Sequence, residues 1–513
     1  MQNNSLIRVK KIGSGRLQLV ILIILFLLTS GRVSAQEQRE YEPEIYKSSE
    51  YTKTEAARLL TEYLKIQSLS GIEEEAGDFL SAYCEQQGLY VTTLPADSTG
   101  YNFAATIYPL SEDKPVIWLQ HHMDVVPAGT TDEWDYPPFS GVVVNDTIWG
   151  RGAIDNKGPG IMQLMSLLNI KGAADTIEFI YNVGVLCFSS EESGGGAGAK
   201  YVLDRKLSEL NPLVAFGEGG AALRGVLLSA PEKPVVGISV AEKAVLWLKL
   251  DLQLNSYGHG AAPAPEYANK LMIYALSRLE GRKFNMEFNR VNRRMFRRLG
   301  RAEGGLRGFL IGHINWWILS PFVKNVVQRD PLLESLTTNT ITVTKLENPP
   351  GPHNKISIIS TAYLDCRLQP NTTVKAFIRR LERILDEPKI KITVINSSPE
   401  SKPSPVNDFY DAMAWAVQQE IPDAAVIPIL FPATTDNIFF RNNEVPTYGL
   451  IPAMMSEDLI KSVHSINERL PVAALEQGIN IYTNMILRIQ TEGAHKRRRL
   501  LNAELRKVNL LEE

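Results

Sequence analysis

"PVIWLQHHMD", residues 115–124, is the stretch from which the fold is read outward. It opens with a nearly continuous apolar run, the pattern of a strand buried on both faces and hence of a sheet covered by helices. Strand side chains repeat every two residues, so His122 and Asp124 project to one side and His121 to the other. A metal-bound histidine commonly donates its second ring N–H to a carboxylate, which fixes the tautomer and raises the basicity of the ligating nitrogen. His122 is therefore the candidate ligand, Asp124 its orienting partner and His121 a packing residue. Taken alone, His-x-Asp more often marks a structural histidine.

The flanking segments alternate between helix and strand. Ala56, Leu59, Leu60, Tyr63 and Leu64 fall at helical spacing. A second helix is expected over 77–87, stopped by Gly88. "PGIMQLMSLLNI" (159–170) reads as a helix, and "IEFIYNV" (177–183) and "VLCFSS" (185–190) read as two strands. This order predicts an α/β fold, a sheet flanked by helices. From about Ala241 the texture changes. Residues 244–254, 339–346, 356–368 and 389–395 alternate like half-exposed strands, with helices expected at 265–279 and 373–386. A smaller α+β domain inserted into a larger one is the simplest organisation. The larger domain would take 36–239 and 397–492, the insert 240–396, and a charged tail 493–513. Inside the insert, "NRVNRRMFRRLGR" (289–301) precedes the apolar "GFLIGHINWWILSPF" (308–322). It reads as a solvated helix face followed by a packing segment; contact with lipid or a partner subunit stays open.

Composition narrows the function classes. The 513 residues suffice for two or three domains, and 44% hydrophobic with 22% charged content is ordinary for a globular protein. A net charge of −3 provides no global field for nucleic acid or anionic membranes. Three dispersed cysteines, Cys84, Cys187 and Cys366, contain no Cys-x-x-Cys metal knuckle. At the N-terminus, Arg8, Lys10, Lys11 and Arg16 precede the apolar run Leu17–Leu28, followed by the small residues Val33, Ser34 and Ala35. This predicts a signal peptide over 1–35 and a secreted or periplasmic protein; the alternative is an anchor formed by residues 17–28, the one route to membrane contact read from this end of the chain.

Several acids share the chemistry of His122. Asp155 in "WGRGAIDNKGPG" sits before a helix, where it serves either as a cap or as a ligand carried on a rigid loop. Glu191 and Glu192 in "CFSSEESGGG" end an apolar strand, the place where open α/β sheets put their sites. Adjacent residues of an extended segment point in opposite directions, so one carboxylate can grip a metal while its neighbour reaches a water; a solvated loop is the bland reading. Glu218 follows another apolar run, and His464 stands in "SVHSINERLP". Gly194, Gly196 and Ala199 also match the dinucleotide fingerprint G-x-G-x-x-A, with Glu218 roughly 20 residues on. Two glutamates before that turn would repel a pyrophosphate, so the glycines are read as a tight turn instead. Oxygen and imidazole donors without thiolate suit two borderline-to-hard cations.

The ordered segments "HHMDVVPA", "GRGAIDNKG", "EESGG", "EGG" and "HSINERLP" resemble the M20 family of co-catalytic zinc peptidases and amidohydrolases. The stretch 132–158 is especially similar to the PM20D1 and carboxypeptidase S branch. The resemblance implies a zinc-peptidase-like catalytic domain with a mixed sheet and an inserted lid or dimerisation domain. It implies two Zn2+, with Co2+ or Mn2+ accepting similar donors. Asp155 would bridge the metals, His122 and Glu218 would complete one site, and Glu192 and His464 the other. Asp124 would clamp His122. Glu191 would be the general base acting on a metal-bridged water in the cleavage of a peptide or N-acyl-amino-acid amide bond. "NSYGHGAAPAP" (255–265) resembles a lid segment whose histidine, here His259, reaches a partner's active site, which implies a homodimer through the lid. Asn339 matches a lid asparagine that contacts substrate.

Two positions depart from the family pattern. "GEGG" replaces "DEGG", with Gly217 in place of the aspartate. "TTDNIFFRN" (434–442) carries Ile438 where an arginine would bind a substrate carboxylate, leaving Arg441 as a candidate replacement. The sequence thus predicts a secreted dizinc hydrolase of small peptides or N-acyl amino acids. Two alternatives follow from the same residues: an amide hydrolase for substrates without a free carboxylate, and an inactive binding module on the same fold. No Gly-x-Ser-x-Gly elbow is present.

Overall fold

The computed structural model describes residues 45–96, 100–174, 179–255, 259–280, 284–316 and 331–509, with backbone alone at 331–332 and 498–509. The expected signal peptide and the alternative anchor over 17–28 lie outside the described residues. Among the described residues no helix is long and apolar enough to cross a membrane.

Two helices, α1 (Glu50–Lys65) and α2 (Glu74–Gln86), precede β1 (Tyr90–Leu94), β2 (Asn102–Thr106) and β3 (Val116–His122). A short hairpin, β4 (Val142–Val144) and β5 (Thr147–Trp149), leads to the long helix α3 (Lys157–Ala174). Then follow β6 (Asn182–Phe188), α4 (Ala199–Leu210), β7 (Pro212–Gly217), β8 (Ala222–Leu223) and β9 (Val235–Glu242). The second half opens with β10 (Ala244–Gln253), α5 (Ala268–Glu280), α6 (Arg290–Glu303), α7 (Gly305–Gly312), α8 (Pro331–Thr337), β11 (Thr340–Glu347) and β12 (Ile359–Leu368). It continues with α9 (Val374–Leu385), β13 (Ile390–Ser397), α10 (Asp408–Glu420), β14 (Ala425–Phe431), α11 (Asn437–Asn442), β15 (Thr447–Gly449), α12 (Glu457–Ser462), β16 (Arg469–Pro471) and α13 (Val472–Asn509).

The main sheet has the order β1-β2-β6-β3-β7-β15-β9-β14, with β8 paired to β9. It is mixed: β6, β3, β7 and β15 run parallel, whereas β1 and β2 are antiparallel at one edge. Every residue of β3 and β6 is buried, as two-sided coverage requires. One face packs on α1, α3, α10 and α13 through residues such as Leu60, Ile117, Met162, Val185 and Ile486. The other face carries Trp118, Phe188 and Ala215 against Val202 of α4 and Phe440 of α11. Of the two strands expected at 177–183 and 185–190, residues 177–178 lie outside the described residues, and the described remainder holds one strand, β6. Its start is set by the Asn182 side chain, which accepts from Tyr108 N and donates to Tyr108 O.

A second sheet, β11-β12-β10-β13, is antiparallel throughout. Its strand β10 alternates buried and half-buried positions, with Leu246, Leu248, Leu250 and Leu252 packing on α5 and α9. The arginine-rich stretch forms α6, which lies against β14 and buries Met295 and Phe296 with Val235 and Ile427. The charged C-terminal stretch continues α13 as helix to Asn509.

Candidate metal centre

The parallel strands β3, β6 and β7 end at the same edge of the main sheet. That edge presents His122 as the last residue of β3, Glu191 and Glu192 just beyond β6, and Glu218 directly after β7. The loop entering α3 adds Asp155, and the loop between α12 and β16 adds His464. Candidate donor atoms of His122, Asp155 and Glu218 lie within 4.8 Å of one another, and so do those of Asp155, Glu192 and His464. Asp155 belongs to both groups: His122 Nε2 lies 3.0 Å from its Oδ1, and His464 Nε2 lies 3.0 Å from its Oδ2. Glu192 Oε1 is 3.1 Å from His464 Nε2, and Glu218 Oε1 is 3.8 Å from His122 Nε2. The Asp155–Asn156 peptide is cis.

Asp124 holds this arrangement from beneath. It is fully buried. His122 Nδ1 lies 2.9 Å from its carbonyl oxygen and 3.3 Å from Oδ1, which leaves Nε2 facing the acids. The same carboxylate accepts from Ser70 Oγ at 2.6 Å, from Glu191 N at 3.0 Å and from Glu192 N at 3.0 Å. The preceding amide, Ser190 N, donates to buried Glu73 at 2.9 Å. Ser190 sits at φ 61°, a left-handed conformation uncommon for a non-glycine residue. Three successive backbone N–H groups are thus caught by two carboxylates, which overdetermines the turn that aims Glu191 and Glu192. Behind it, Gly194 (φ 101°) and Gly195 (φ 69°) close the turn with bonds back to Glu191 O and Ser190 O. The glycine run therefore serves a tight turn around the acids.

Glu468 does the same for Asp155. Fully buried, it accepts from Arg151 Nη1 at 2.5 Å, Gly152 N at 3.0 Å, Ile154 N at 2.8 Å and Asp155 N at 3.0 Å. Arg151 also donates to Ser465 O, beside His464. Glu73 and Glu468 were missed in reading the sequence. Glu468 stands inside "HSINERLP", but only the fold reveals what it receives.

The electrostatics are those of an acid cluster in want of a cation. Burial, then the negative charge of Asp155, raises the Glu218 carboxyl well above its ordinary range against the pull of His122. Burial likewise raises Glu191, with His122 opposing and Glu218 adding to the rise. Hydrogen bonds to Asp155 and Glu192 push the His464 imidazole up to about 10. Burial resists protonation of His122, but Asp124 and Asp155 overcome it and hold the ring charged. Asp436, also at this edge, is pushed up to about 8 by burial, and neither of its oxygens has a hydrogen-bond partner. So many buried carboxylates around two imidazoles favour a multivalent cation, and the donor set of oxygen and imidazole nitrogen fits zinc, cobalt or manganese.

Both donor groups open onto one cavity of about 1060 Å³, which Glu191 also lines. Much of its lining is apolar, including Leu223, Val235, Met295, Phe296, Leu336 and Ile427. Besides His464, two cationic side chains line it, Lys200 and Arg367, neither singled out from the sequence. Arg367 shares its guanidinium with Asp365 at 2.9 and 3.0 Å.

The remaining sequence candidates are not brought to this cavity. His121 faces away, fully buried near Cys187, and burial pushes its imidazole down to about 3. His259 is exposed, with Nε2 2.9 Å from Asn354 Nδ2. Asn339 is buried, accepting from Gln369 N and donating to Thr372 Oγ1. Arg441 is buried against Glu242 at 3.3 Å and donates to Thr447 O and Ser239 O. Its guanidinium is thus occupied inside the fold. Ile438 packs in the apolar cluster with Phe188 and Phe440.

A family model described as Peptidase family M20/M25/M40 matches residues 118–488. The probable carboxypeptidase S-like 2 of Dictyostelium discoideum is 27% identical over 385 residues, 74% of this chain and 72% of that protein. The N-fatty-acyl-amino acid synthase/hydrolase PM20D1 of Mus musculus is 29% identical over 383 residues, 73% of this chain and 74% of that protein. Among solved structures, the M20 family metallo-carboxypeptidase Sso-CP2 of Sulfolobus solfataricus superposes with a TM-score of 0.61 at 20% identity, covering 85% of this chain and 99% of that one.

Proposed function

The chain belongs to peptidase family M20/M25/M40, and on that premise we propose that it is a two-metal amide hydrolase acting on amino acids N-acylated with a long hydrocarbon chain. The observation that carries this reading is the cavity: about 1060 Å³, predominantly apolar, and lined by residues of both donor groups. That volume lies at the top of the usual range of ligand sites, about 300–1,000 Å³. The similarity to PM20D1 supports an N-acyl substrate, and the similarity to carboxypeptidase S-like proteins supports cleavage next to a free carboxylate.

His122, Asp155 and Glu218 would hold one divalent cation, and Asp155, Glu192 and His464 the other. Bound zinc, or cobalt or manganese, would polarise the scissile carbonyl and lower the pKa of an attacking water. Glu191 takes the proton from that water and returns it to the departing amine. Burial raises its carboxyl above the ordinary carboxylate range, the direction that favours holding the proton between the two transfers. Asp124 and Glu73 fix where Glu191 points. Arg367 and Lys200 offer cations for the substrate carboxylate, in place of the arginine that Ile438 displaces. Residues 240–396 act as a lid and dimerisation domain, through which His259 reaches the site of a second copy. The protein works outside the cytoplasm after removal of residues 1–35.

The test is a ladder of N-acyl amino acids from acetyl to palmitoyl with the metal-loaded protein. Each buried CH2 is worth about 0.8 kcal/mol, so kcat/KM rises roughly fourfold per methylene until the cavity is full. A flat profile, or preference for acetyl or dipeptide substrates, would replace this reading with that of a short-substrate peptidase.

A further inference from the structure

The helical hairpin of α6 and α7 bears features that hydrolysis does not require. We propose that it docks the protein on a lipid bilayer carrying anionic headgroups. α6 has two opposed faces. Val291, Met295 and Phe296 are buried, and Met295, Phe296 and Leu299 form part of the cavity wall. The outer face exposes Arg290, Arg293, Arg294, Arg297, Arg298 and Arg301, and among the described residues none of these six makes an ion pair. The nearby acid, Glu303, is buried and committed to Leu228 N, Ser229 N and Arg307.

The chain then reverses through Gly304 (φ 72°) and Gly305 (φ 57°), conformations that glycine adopts without strain. α7 returns so close to α6 that a Cβ on Gly300 would lie 2.3 Å from the Gly308 carbonyl oxygen, and one on Gly308 would lie 2.2 Å from that of Gly300. This tight crossing fixes what α7 presents outward: Leu306, 77% exposed, with Phe309 and Leu310, both exposed. Trp316, also exposed, packs edge-on against Phe309 with ring centroids 5.7 Å apart.

A row of arginines without an ion pair among the described residues, on one hairpin with exposed leucine, phenylalanine and tryptophan, is the composition of an element that lies in the headgroup region, with cations on the phosphates and apolar side chains at the acyl boundary. Two other occupants fit less well. A second copy joined through this face would set arginine against arginine. A nucleic acid would leave the exposed Leu306 and Leu310 without an apolar partner, and the whole chain carries a net charge of −3. The location matters, because the cavity lies on the opposite side of α6. A docked bilayer would stand about one helix diameter, roughly 10–12 Å, from the cavity wall.

The experiment is vesicle flotation of the full chain on 3:1 phosphatidylcholine:phosphatidylglycerol and on pure phosphatidylcholine, at low and at 0.15 M salt. The wild type should float with the anionic vesicles, less so at higher salt, and hardly at all with neutral ones. Each arginine near such a surface strengthens binding about fivefold. Arg297→Ala with Arg301→Ala should therefore weaken binding about 25-fold. Leu306→Ser, Phe309→Ser and Leu310→Ser together should leave only a salt-sensitive remainder. All five positions are exposed, so the variants should keep the wild-type urea midpoint and its turnover of an acetylated substrate. Equal binding to neutral vesicles, variants that bind like the wild type, or tighter binding to a duplex oligonucleotide than to anionic vesicles would overturn the proposal. So would conversion of a dimer to a monomer by the serine variant. The readout is independent of the substrate assignment: flotation without hydrolysis of long-chain substrates would sink that assignment and leave this one standing.

Discussion

Asp124→Asn removes one charge and reverses one hydrogen-bonding position at a fully buried site. The native carboxylate receives Ser70 Oγ and Glu192 N on Oδ2, and Glu191 N on Oδ1, with His122 Nδ1 3.3 Å from Oδ1. An asparagine can place its NH2 at either position. At Oδ2 it faces the Glu192 N–H, and the Ser70 hydroxyl can rotate to accept from it. At Oδ1 it faces both the Glu191 N–H and the His122 ring proton, which cannot rotate away. The first orientation costs less and leaves one buried N–H unsatisfied, about 1–3 kcal/mol. The bonds that remain lose their charge assistance, roughly 1 kcal/mol each, while loss of the buried charge offsets part of this through desolvation. The net is about 2–4 kcal/mol of stability in the metal-free protein. Because the ring of His122 and the Glu191–Glu192 turn both lose their anchor, metal affinity should fall about 10–100-fold. Urea unfolding of the metal-free protein and zinc competition against a chromophoric chelator measure the two effects. A variant with wild-type midpoint and zinc affinity within twofold would refute the positioning role of Asp124.

Glu191→Gln should keep two metals per chain and an unchanged KM while kcat drops about 10²–10⁴-fold; a kcat within threefold of wild type would remove Glu191 from proton transfer. Arg367→Ala should raise KM for a free-acid substrate about tenfold or more and leave its C-terminal amide unaffected; equal effects on both would mean that Arg367 does not bind the carboxylate. In the metal-free protein, His464 is held up to about 10 in the fold against about 6.5 when unfolded. A raised pKa means that its stabilising contribution is complete below about pH 6.5 and is lost as pH climbs through about 10. Unfolding midpoints of wild type and His464→Ala should therefore differ at pH 6 and converge above pH 10. Zinc affinity should rise over the same interval, because the metal displaces that proton.

How much of this was legible beforehand depended on the range of the interaction. "PVIWLQHH" announced a strand buried on both faces, and β3 lies in the middle of the main sheet with every residue buried. Alternation over 244–254 likewise matched the one-sided burial of β10. Both signals are local and periodic. The division of 177–190 into two strands failed because an apolar run does not mark where a ladder begins; the Asn182 side chain and the strand β2 do. At the candidate site, His122, Glu191, Glu192 and Glu218 were visible as polar residues at the end of an apolar segment, Asp155 and His464 as polar residues in turns before a helix, and the fold brings all six to one sheet edge. Glu73 and Glu468 were not legible, because their role is to receive backbone N–H groups from segments far away in the chain. Arg441 misled for a related reason. It was the arginine three residues from Ile438 and so the candidate replacement for a carboxylate-binding arginine, but its partner, Glu242, comes from a distant strand and consumes it.

The claim on which the mechanism rests is that Asp155 is shared by two cations, one completed by His122 and Glu218 and the other by Glu192 and His464. A crystal of the protein grown with zinc, with anomalous data collected on either side of the zinc edge, measures this directly. The account predicts two peaks per chain at this sheet edge, both within bonding distance of the Asp155 carboxylate. One peak, or two peaks that leave Asp155 unbound, would contradict it.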